Sequence, residues 1–381
     1  MEFRIARADL GEAVARAARA LPARTPVPVL GGLSLTAGAG CLTVSGFDFE
    51  TAARVGTDAE TVSEGRVLVP GRRLLDICRV LPEGPVSCRL EGSRFTVEAG
   101  GARFGLSTLP HEEYPAPPQA PPVYGTVDAA ALATAVGQVA VAAGRDDTLP
   151  VLTGVQLRFE GEEMVLSACD RYRYAVRHLG WTPAAGTGGA EGSGRAVEAL
   201  LPARRLLEAA RSLAGCGTVG VGIDPSAGAG GGVVGLEGGR TRTVLRRLEG
   251  RLPGYGRLFD LAGAAVAEVG CGALTEAVRR VAVVAEASSP VRLEFRAGEG
   301  SVAVRAGFGD DVAAERLPAV LHGCEEACVA FNPAYLLDAL NSFEGPGLRL
   351  ELLGAGQRVL LGAPGAGVGH RHLLMSVKQL V

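Results

Sequence analysis

Aromatic residues are scarce in this chain of 381 residues: phenylalanine, tyrosine and tryptophan make up 5% of it, with a single tryptophan. Its cores are therefore expected to be built from alanine, valine and leucine. Lysine is almost absent; Lys378 is the only one, and arginine carries the basic charge. No run approaches 18 uninterrupted apolar residues, and the opening MEFRIARADL has no apolar signal core. That argues against a helical membrane span or a secretory leader and predicts a cytoplasmic protein. Net charge of one sign is also lacking, at −3 overall, so any contact with nucleic acid must use a segregated basic face.

Chemistry-bearing motifs are missing as well. There is no GxxxxGK phosphate loop and no GxSxG nucleophile elbow. The eight cysteines are scattered singly and read as small core residues in a reducing compartment, without disulfides. Cys324, Cys328, His370 and His372 do not form a zinc spacing. The pairs Asp146-Asp147 and Asp310-Asp311 would suit Mg²⁺, yet they read as polar turns. No cofactor, metal or catalytic residue is expected. A metal-dependent nucleic-acid enzyme and a repeat scaffold without DNA function remain the alternatives.

What is present is repetition. A helix pattern recurs as Leu10-Gly-Glu-Ala-Val-Ala-Arg-Ala-Ala, Leu132-Ala-Thr-Ala-Val-Gly-Gln-Val-Ala and Leu274-Thr-Glu-Ala-Val-Arg-Arg-Val-Ala. Each places apolar residues at helical spacing. The first two copies run on to Pro28-Val-Leu-Gly-Gly-Leu and Pro150-Val-Leu-Thr-Gly-Val, read as strand openings, with Pro290-Val-Arg-Leu matching in the third. A second helix pattern recurs as Pro70-Gly-Arg-Arg-Leu-Leu-Asp, Pro202-Ala-Arg-Arg-Leu-Leu-Glu and Pro333-Ala-Tyr-Leu-Leu-Asp, with proline at a helix start. Alternating runs such as Cys41-Leu-Thr-Val-Ser, Arg94-Phe-Thr-Val-Glu, Val155-Gln-Leu-Arg-Phe and Ser301-Val-Ala-Val-Arg read as half-buried antiparallel strands.

The expected fold is thus α+β: three repeated domains, 1–121, 122–262 and 263–381, each with two helices packed on antiparallel sheet. The proline-rich segment 115–122 reads as an extended linker. The glycine-rich stretches 184–194 and 226–239 read as strand-connecting loops.

The order of Arg24-Thr-Pro-Val-Pro-Val-Leu, Gly46-Phe-Asp-Phe-Glu, Arg145-Asp-Asp-Thr-Leu-Pro-Val-Leu-Thr-Gly-Val, Asp170-Arg-Tyr-Arg, Gly250-Arg-Leu-Pro-Gly-Tyr and His372-Leu-Leu-Met-Ser-Val-Lys, laid over the repeat, resembles the bacterial sliding clamp, the beta subunit of the replicative DNA polymerase. The resemblance covers essentially the whole chain. It implies a non-enzymatic processivity factor: a head-to-tail homodimer closing into a ring around duplex DNA, with helices lining the hole. The clamp loader, the polymerase and other proteins carrying short clamp-binding motifs would be its partners.

If the repeated helices line the hole, phosphate contacts are expected from Arg24, Arg72, Arg73, Arg79, Arg204, Arg205, Arg279 and Arg280, with Arg16, Arg19 and Arg211 as further candidates. A single arginine at such a spacing is also what any solvated helix face carries. The resemblance further implies a partner-peptide pocket of Leu152, Cys169, Arg171, Tyr172, Tyr174, Pro253, Leu258, Tyr335, Leu373, Met375, Ser376 and Val377. Cys169, Tyr174, Ser376 and Lys378 depart from the family pattern, where threonine, leucine or methionine, proline and arginine are usual. A variant or second-copy clamp with an altered pocket and tolerance of pocket-directed inhibitors is therefore expected.

Overall fold

The computed structural model describes residues 1–22, 24, 27–185, 196–224, 231–284, 289–308, 310–365 and 369–378. Six helices fall where the repeat predicts: α1 (Arg7–Ala17), α2 (Gly71–Val80), α3 (Ala129–Ala140), α4 (Ala203–Leu213), α5 (Cys271–Val281) and α6 (Pro333–Asn341). The prolines divide differently from expectation. Pro70 and Pro202 close the strands before α2 and α4, whereas only Pro333 occupies the first turn of its helix. There Asn332 caps α6, its side-chain oxygen accepting from the backbone N–H groups of Ala334 and Tyr335 at 2.9 and 3.3 Å.

The segments expected to open strands instead form 3₁₀ turns, Pro28–Gly31 and Pro150–Thr153, and the strands start at Gly32 and Gly154. Both glycines are required by close approach. A Cβ at Gly32 would lie 2.7 Å from Leu68, and one at Gly154 would lie 2.7 Å from Leu200. Of the glycine-rich stretches, residues 186–195 and 225–230 lie outside the described residues, while Val233–Gly238 is a strand and not a loop.

By contacts the chain divides into two compact units, one of Met1–Ala131, Thr182–Ser193 and Glu208–Arg247, the other of Leu132–Trp181, Gly194–Leu207 and Leu248–Val381. The division cuts through the second repeat because strands of successive repeats share sheets. In the first unit Thr241–Arg246 pairs antiparallel with Thr51–Asp58, within a nine-stranded sheet; in the second, His370–Met375 pairs with Arg173–Gly180, within a twelve-stranded sheet.

The core of the first unit lies between this nine-stranded sheet, which supplies Leu33, Leu35, Val44 and Val55, and a five-stranded sheet, which supplies Phe3, Val86, Phe95 and Val97. The apolar faces of α1 and α2 fill it through Leu10, Val14, Leu74 and Cys78. The other face of the nine-stranded sheet carries Thr43, Ser45, Arg54 and Arg242, the alternation a one-sided sheet requires. In the second unit α5 and α6 bury Leu274, Val278, Leu336 and Leu340 against Leu293, Val304, Leu350 and Leu361. Each such leucine stabilises the fold by about 2 kcal/mol relative to exposure. Cys78, Cys88, Cys169 and Cys271 are buried as expected of core residues, but Cys324 is exposed.

Candidate functional site

A corner of the second unit brings most of the expected pocket residues together. Its base is the turn joining the strands Glu163–Cys169 and Arg173–Gly180. Asp170 shapes that turn, its Oδ1 accepting from the backbone N–H groups of Tyr172 (2.7 Å) and Arg173 (2.9 Å). The turn puts Cys169 and Tyr174 on one face, where they form a buried cluster with Leu252, Phe259 and Leu373. Leu152 and Leu258 pack on its margin. Burial pushes the Cys169 thiol up to about 12, with the Asp170 carboxylate adding to the effect, so it stays protonated and unreactive.

Tyr174 occupies the middle of this corner at 4% exposure. Its hydroxyl donates to the carbonyl oxygen of Pro253 at 2.9 Å, and its ring meets Phe259 edge-on with centroids 5.8 Å apart. An aliphatic side chain would leave that space open. The rim is apolar and exposed: Tyr172, Met375 and Val377 are 54%, 41% and 43% exposed. The Met375 backbone N–H donates to the Tyr172 carbonyl at 2.8 Å, joining the two sides of the rim.

Not every expected residue faces the cluster. Arg171 is exposed at the tip of the turn. Tyr335, on α6, stands against Tyr172 with centroids 6.0 Å apart. Ser376 is buried and its hydroxyl donates to the Gln357 carbonyl at 2.7 Å, so it is committed to backbone and not offered to a ligand.

Five residues outside the expected set support the pocket: Arg173, Asp170, Asp338, Tyr255 and Phe259. Arg173, 5% exposed, donates to Asp170 (2.9 Å) and Asp338 (2.8 Å), and its guanidinium carbon lies 4.4 Å from the Tyr335 ring centroid. Two carboxylates compensate this buried charge and lock the turn to α6. Tyr255 and Phe259, with ring centroids 5.3 Å apart, pack against Tyr174, Tyr255 tilted and Phe259 edge-on. The signal for Arg173, Asp170 and Tyr255 lay in the motifs Asp170-Arg-Tyr-Arg and Gly250-Arg-Leu-Pro-Gly-Tyr, but alternation in a strand does not announce a charge on the buried face.

The candidate DNA-binding arginines lie on helix ends or loops. Arg24 is exposed, and so is Arg73, which has no partner among the described residues. Arg72 donates to the Pro22 carbonyl at 2.8 Å, and Arg79 pairs with Asp76 at 3.0 Å. Arg204 and Arg205 occupy the first turn of α4. On α5 the basic charge is locally matched: Arg279 donates to Asn341 at 2.9 Å and pairs with Glu276, and Arg280 makes two bonds to Glu315 at 2.7 and 2.8 Å. Exposed pairs of this kind contribute little stability.

Three sequence profiles match in order along the chain: the N-terminal domain of the DNA polymerase III beta subunit at residues 1–118, the central domain at 126–254 and the C-terminal domain at 257–376. The beta sliding clamp of Streptomyces coelicolor is 46% identical over 99% of both chains, and the beta sliding clamp homolog GriR of Streptomyces muensis is 39% identical over 99% of both. Among solved structures, the sliding clamp of Bacillus subtilis superposes with a TM-score of 0.88 at 22% identity, covering 100% of this chain and 99% of that one. A Pseudomonas aeruginosa clamp bound to griselimycin gives 0.88 at 23% identity over 100% of both chains. Full-length identity, matched domain order and a shared fold agree: this chain belongs to the DNA polymerase III beta subunit family, the beta sliding clamps.

Proposed function

We propose that this protein is a DNA sliding clamp, a non-catalytic ring of two copies joined head to tail that encircles duplex DNA and tethers the replicative polymerase and other DNA-processing proteins. The observation that carries this reading is the 46% identity with a beta sliding clamp over 99% of both chains. The threefold repeat of domains, bounded near residues 121 and 262, supports closure, since strands at one repeat's edge pair with those of the next, as His370–Met375 does with Arg173–Gly180. Arg24, Arg72, Arg73, Arg79, Arg204, Arg205, Arg279 and Arg280 would meet phosphates without reading sequence, so tightness comes from topology. The protein acts in the cytoplasm; no helix of the described residues is long and apolar enough to cross a membrane.

The corner around Tyr174 takes the linear motifs of clamp loader and polymerase. Its filled centre makes this a variant clamp, with weaker affinity for ligands shaped to an open pocket and hence tolerance of pocket-directed inhibitors.

The test is retention on nicked circular DNA after loading with ATP and a clamp loader. Retention at high salt, with loss when the DNA is linearised, is expected. Binding that is salt-sensitive and indifferent to linearisation would refute encirclement.

A further inference from the structure

The turn that builds the corner around Tyr174 is built a second time in the first unit. There Asp48 Oδ1 accepts from the backbone N–H groups of Glu50 (3.1 Å) and Thr51 (2.7 Å), as Asp170 does for Tyr172 and Arg173. The Arg246 N–H donates to the Glu50 carbonyl at 2.8 Å, matching the bond from Met375 to Tyr172. Ala52 pairs with Val244 where Tyr174 pairs with Leu373. Over each corner lies an aromatic side chain that follows a 3₁₀ turn. Tyr114 follows His111–Glu113 and packs on Phe47, Ala52 and Val244, as Phe259 follows Gly256–Leu258 and packs on the cluster around Tyr174.

The two corners differ at one decisive place. Where Tyr174 fills the second unit's corner, Ala52 leaves space, and a cleft of about 560 Å³ opens on this face of the sheet, walled by Tyr114 and the segment 117–120. Its floor combines the apolar Phe47, Ala52 and Val244 with Arg54, Arg66 and Arg242, and among the described residues no carboxylate lines it. Arg54 has no ion-pair partner among the described residues. Arg66 uses its Nε on Ser34 at 3.1 Å, and Arg242 is held by Glu237 at 2.6 Å. Beside the cleft Phe49, 52% exposed at a positive φ of 71°, presents its ring edge-on to Phe47 with centroids 5.4 Å apart.

We propose that this cleft is a second peptide-binding site: it takes a short extended segment of a partner protein, an aliphatic or aromatic side chain seated over Ala52 and flanking carboxylates on Arg54 and Arg66. The occupant's class rests on reading the Tyr174 corner as the partner site; the anionic requirement rests on the cleft's own arginines. Apolar anchoring with a few charged clamps is how linear motifs gain affinity and register.

The experiment is calorimetric titration of the full-length protein with the probe acetyl-Glu-Leu-Phe-Glu-amide and its arginine counterpart acetyl-Arg-Leu-Phe-Arg-amide. Three variants are compared: Ala52→Tyr fills the cleft as Tyr174 fills its counterpart, Arg54→Glu reverses an exposed charge without touching the core, and Leu258→Arg blocks the other corner. Expected is a binding event for the acidic probe that Ala52→Tyr and Arg54→Glu each weaken by roughly tenfold or more, that Leu258→Arg leaves unchanged, and that the arginine probe does not show. Acidic-probe binding abolished by Leu258→Arg but untouched by Ala52→Tyr and Arg54→Glu would overturn the second site and leave the Tyr174 corner as the partner site. Acidic-probe binding lost in Ala52→Tyr and Arg54→Glu and kept in Leu258→Arg would uphold the second site whatever the Tyr174 corner itself takes. Equal binding of the arginine probe would overturn the proposed occupant.

Discussion

Tyr174 and Pro253 are joined across a corner of the second unit by a hydrogen bond of 2.9 Å from the phenol to the backbone carbonyl. The bond holds a bulky ring where a peptide side chain would enter. Tyr174→Leu is expected to open the corner, strengthening the binding of a polymerase-derived clamp-binding peptide while lowering stability by roughly 1–3 kcal/mol through lost packing. Fluorescence anisotropy and urea unfolding measure the two effects. Unchanged peptide affinity would show that the ring does not gate the corner.

Arg173 is clamped by Asp170 and Asp338 at 2.9 and 2.8 Å with little exposure. Arg173→Met leaves two carboxylates facing each other without their cation. A loss of about 3 kcal/mol is expected, together with weakened peptide binding because the turn bearing Tyr172 loses its tie to α6. Asp338→Asn, which keeps a hydrogen-bond acceptor for Arg173, should lose less.

His370 and His372 set a pH dependence. Burial lowers His370 from its ordinary 6.5 to about 4, with its Nδ1–H donating to the Val176 carbonyl at 3.2 Å. Burial also lowers His372 well below 6.5, helped by His370 and Arg173, and neither of its ring nitrogens has a partner among the described residues. The unfolded chain therefore binds more protons than the folded one below pH 6.5. Stability is full above that value and falls as the pH drops toward 4, by a few kcal/mol. Urea midpoints at pH 7.5, 5.5 and 4.5 should decline in that order, and His370→Gln should flatten the decline. A midpoint independent of pH over this range would contradict the burial of neutral histidines.

Arg73 and Arg280 should separate free from matched cations on the helices. Arg73→Ala is expected to lower the salt slope of duplex binding by about 1, as loss of one phosphate contact does. Arg280→Ala should change it less, because Glu315 already holds that guanidinium. Equal effects would mean that phosphate displaces Glu315 at no cost.

Thiol reactivity tests the packing directly. Cys324 is exposed, whereas burial raises the Cys78 thiol to about 11 and the Cys169 thiol to about 12. Maleimide at neutral pH should label Cys324 first in the native protein and reach Cys78 and Cys169 only on unfolding. Early labelling of Cys169 would mean that the Tyr174 corner opens.

The sequence by itself determined the helices, the alternating strands and their threefold recurrence, though not the 3₁₀ turns at Pro28–Gly31 and Pro150–Thr153 or the strand Val233–Gly238. Helical spacing around Leu10, Leu132 and Leu274, and strand alternation such as Cys41-Leu-Thr-Val-Ser, are local properties, and each repeat carries the same local code. It also carried the order of motifs that places the chain in its family. Only the tertiary structure decided where charge and space lie. Arg173 alternates like any outward strand residue, yet α6 folds Asp338 over it, a pairing between residues 165 positions apart. Ala52 and Tyr174 hold equivalent places in a repeated turn, and either is an ordinary strand residue when read along the chain. What fills one corner and leaves a cleft at the other is the volume of that side chain beneath Phe259 in one unit and Tyr114 in the other. Such contacts join segments far apart in sequence, and no local periodicity encodes them.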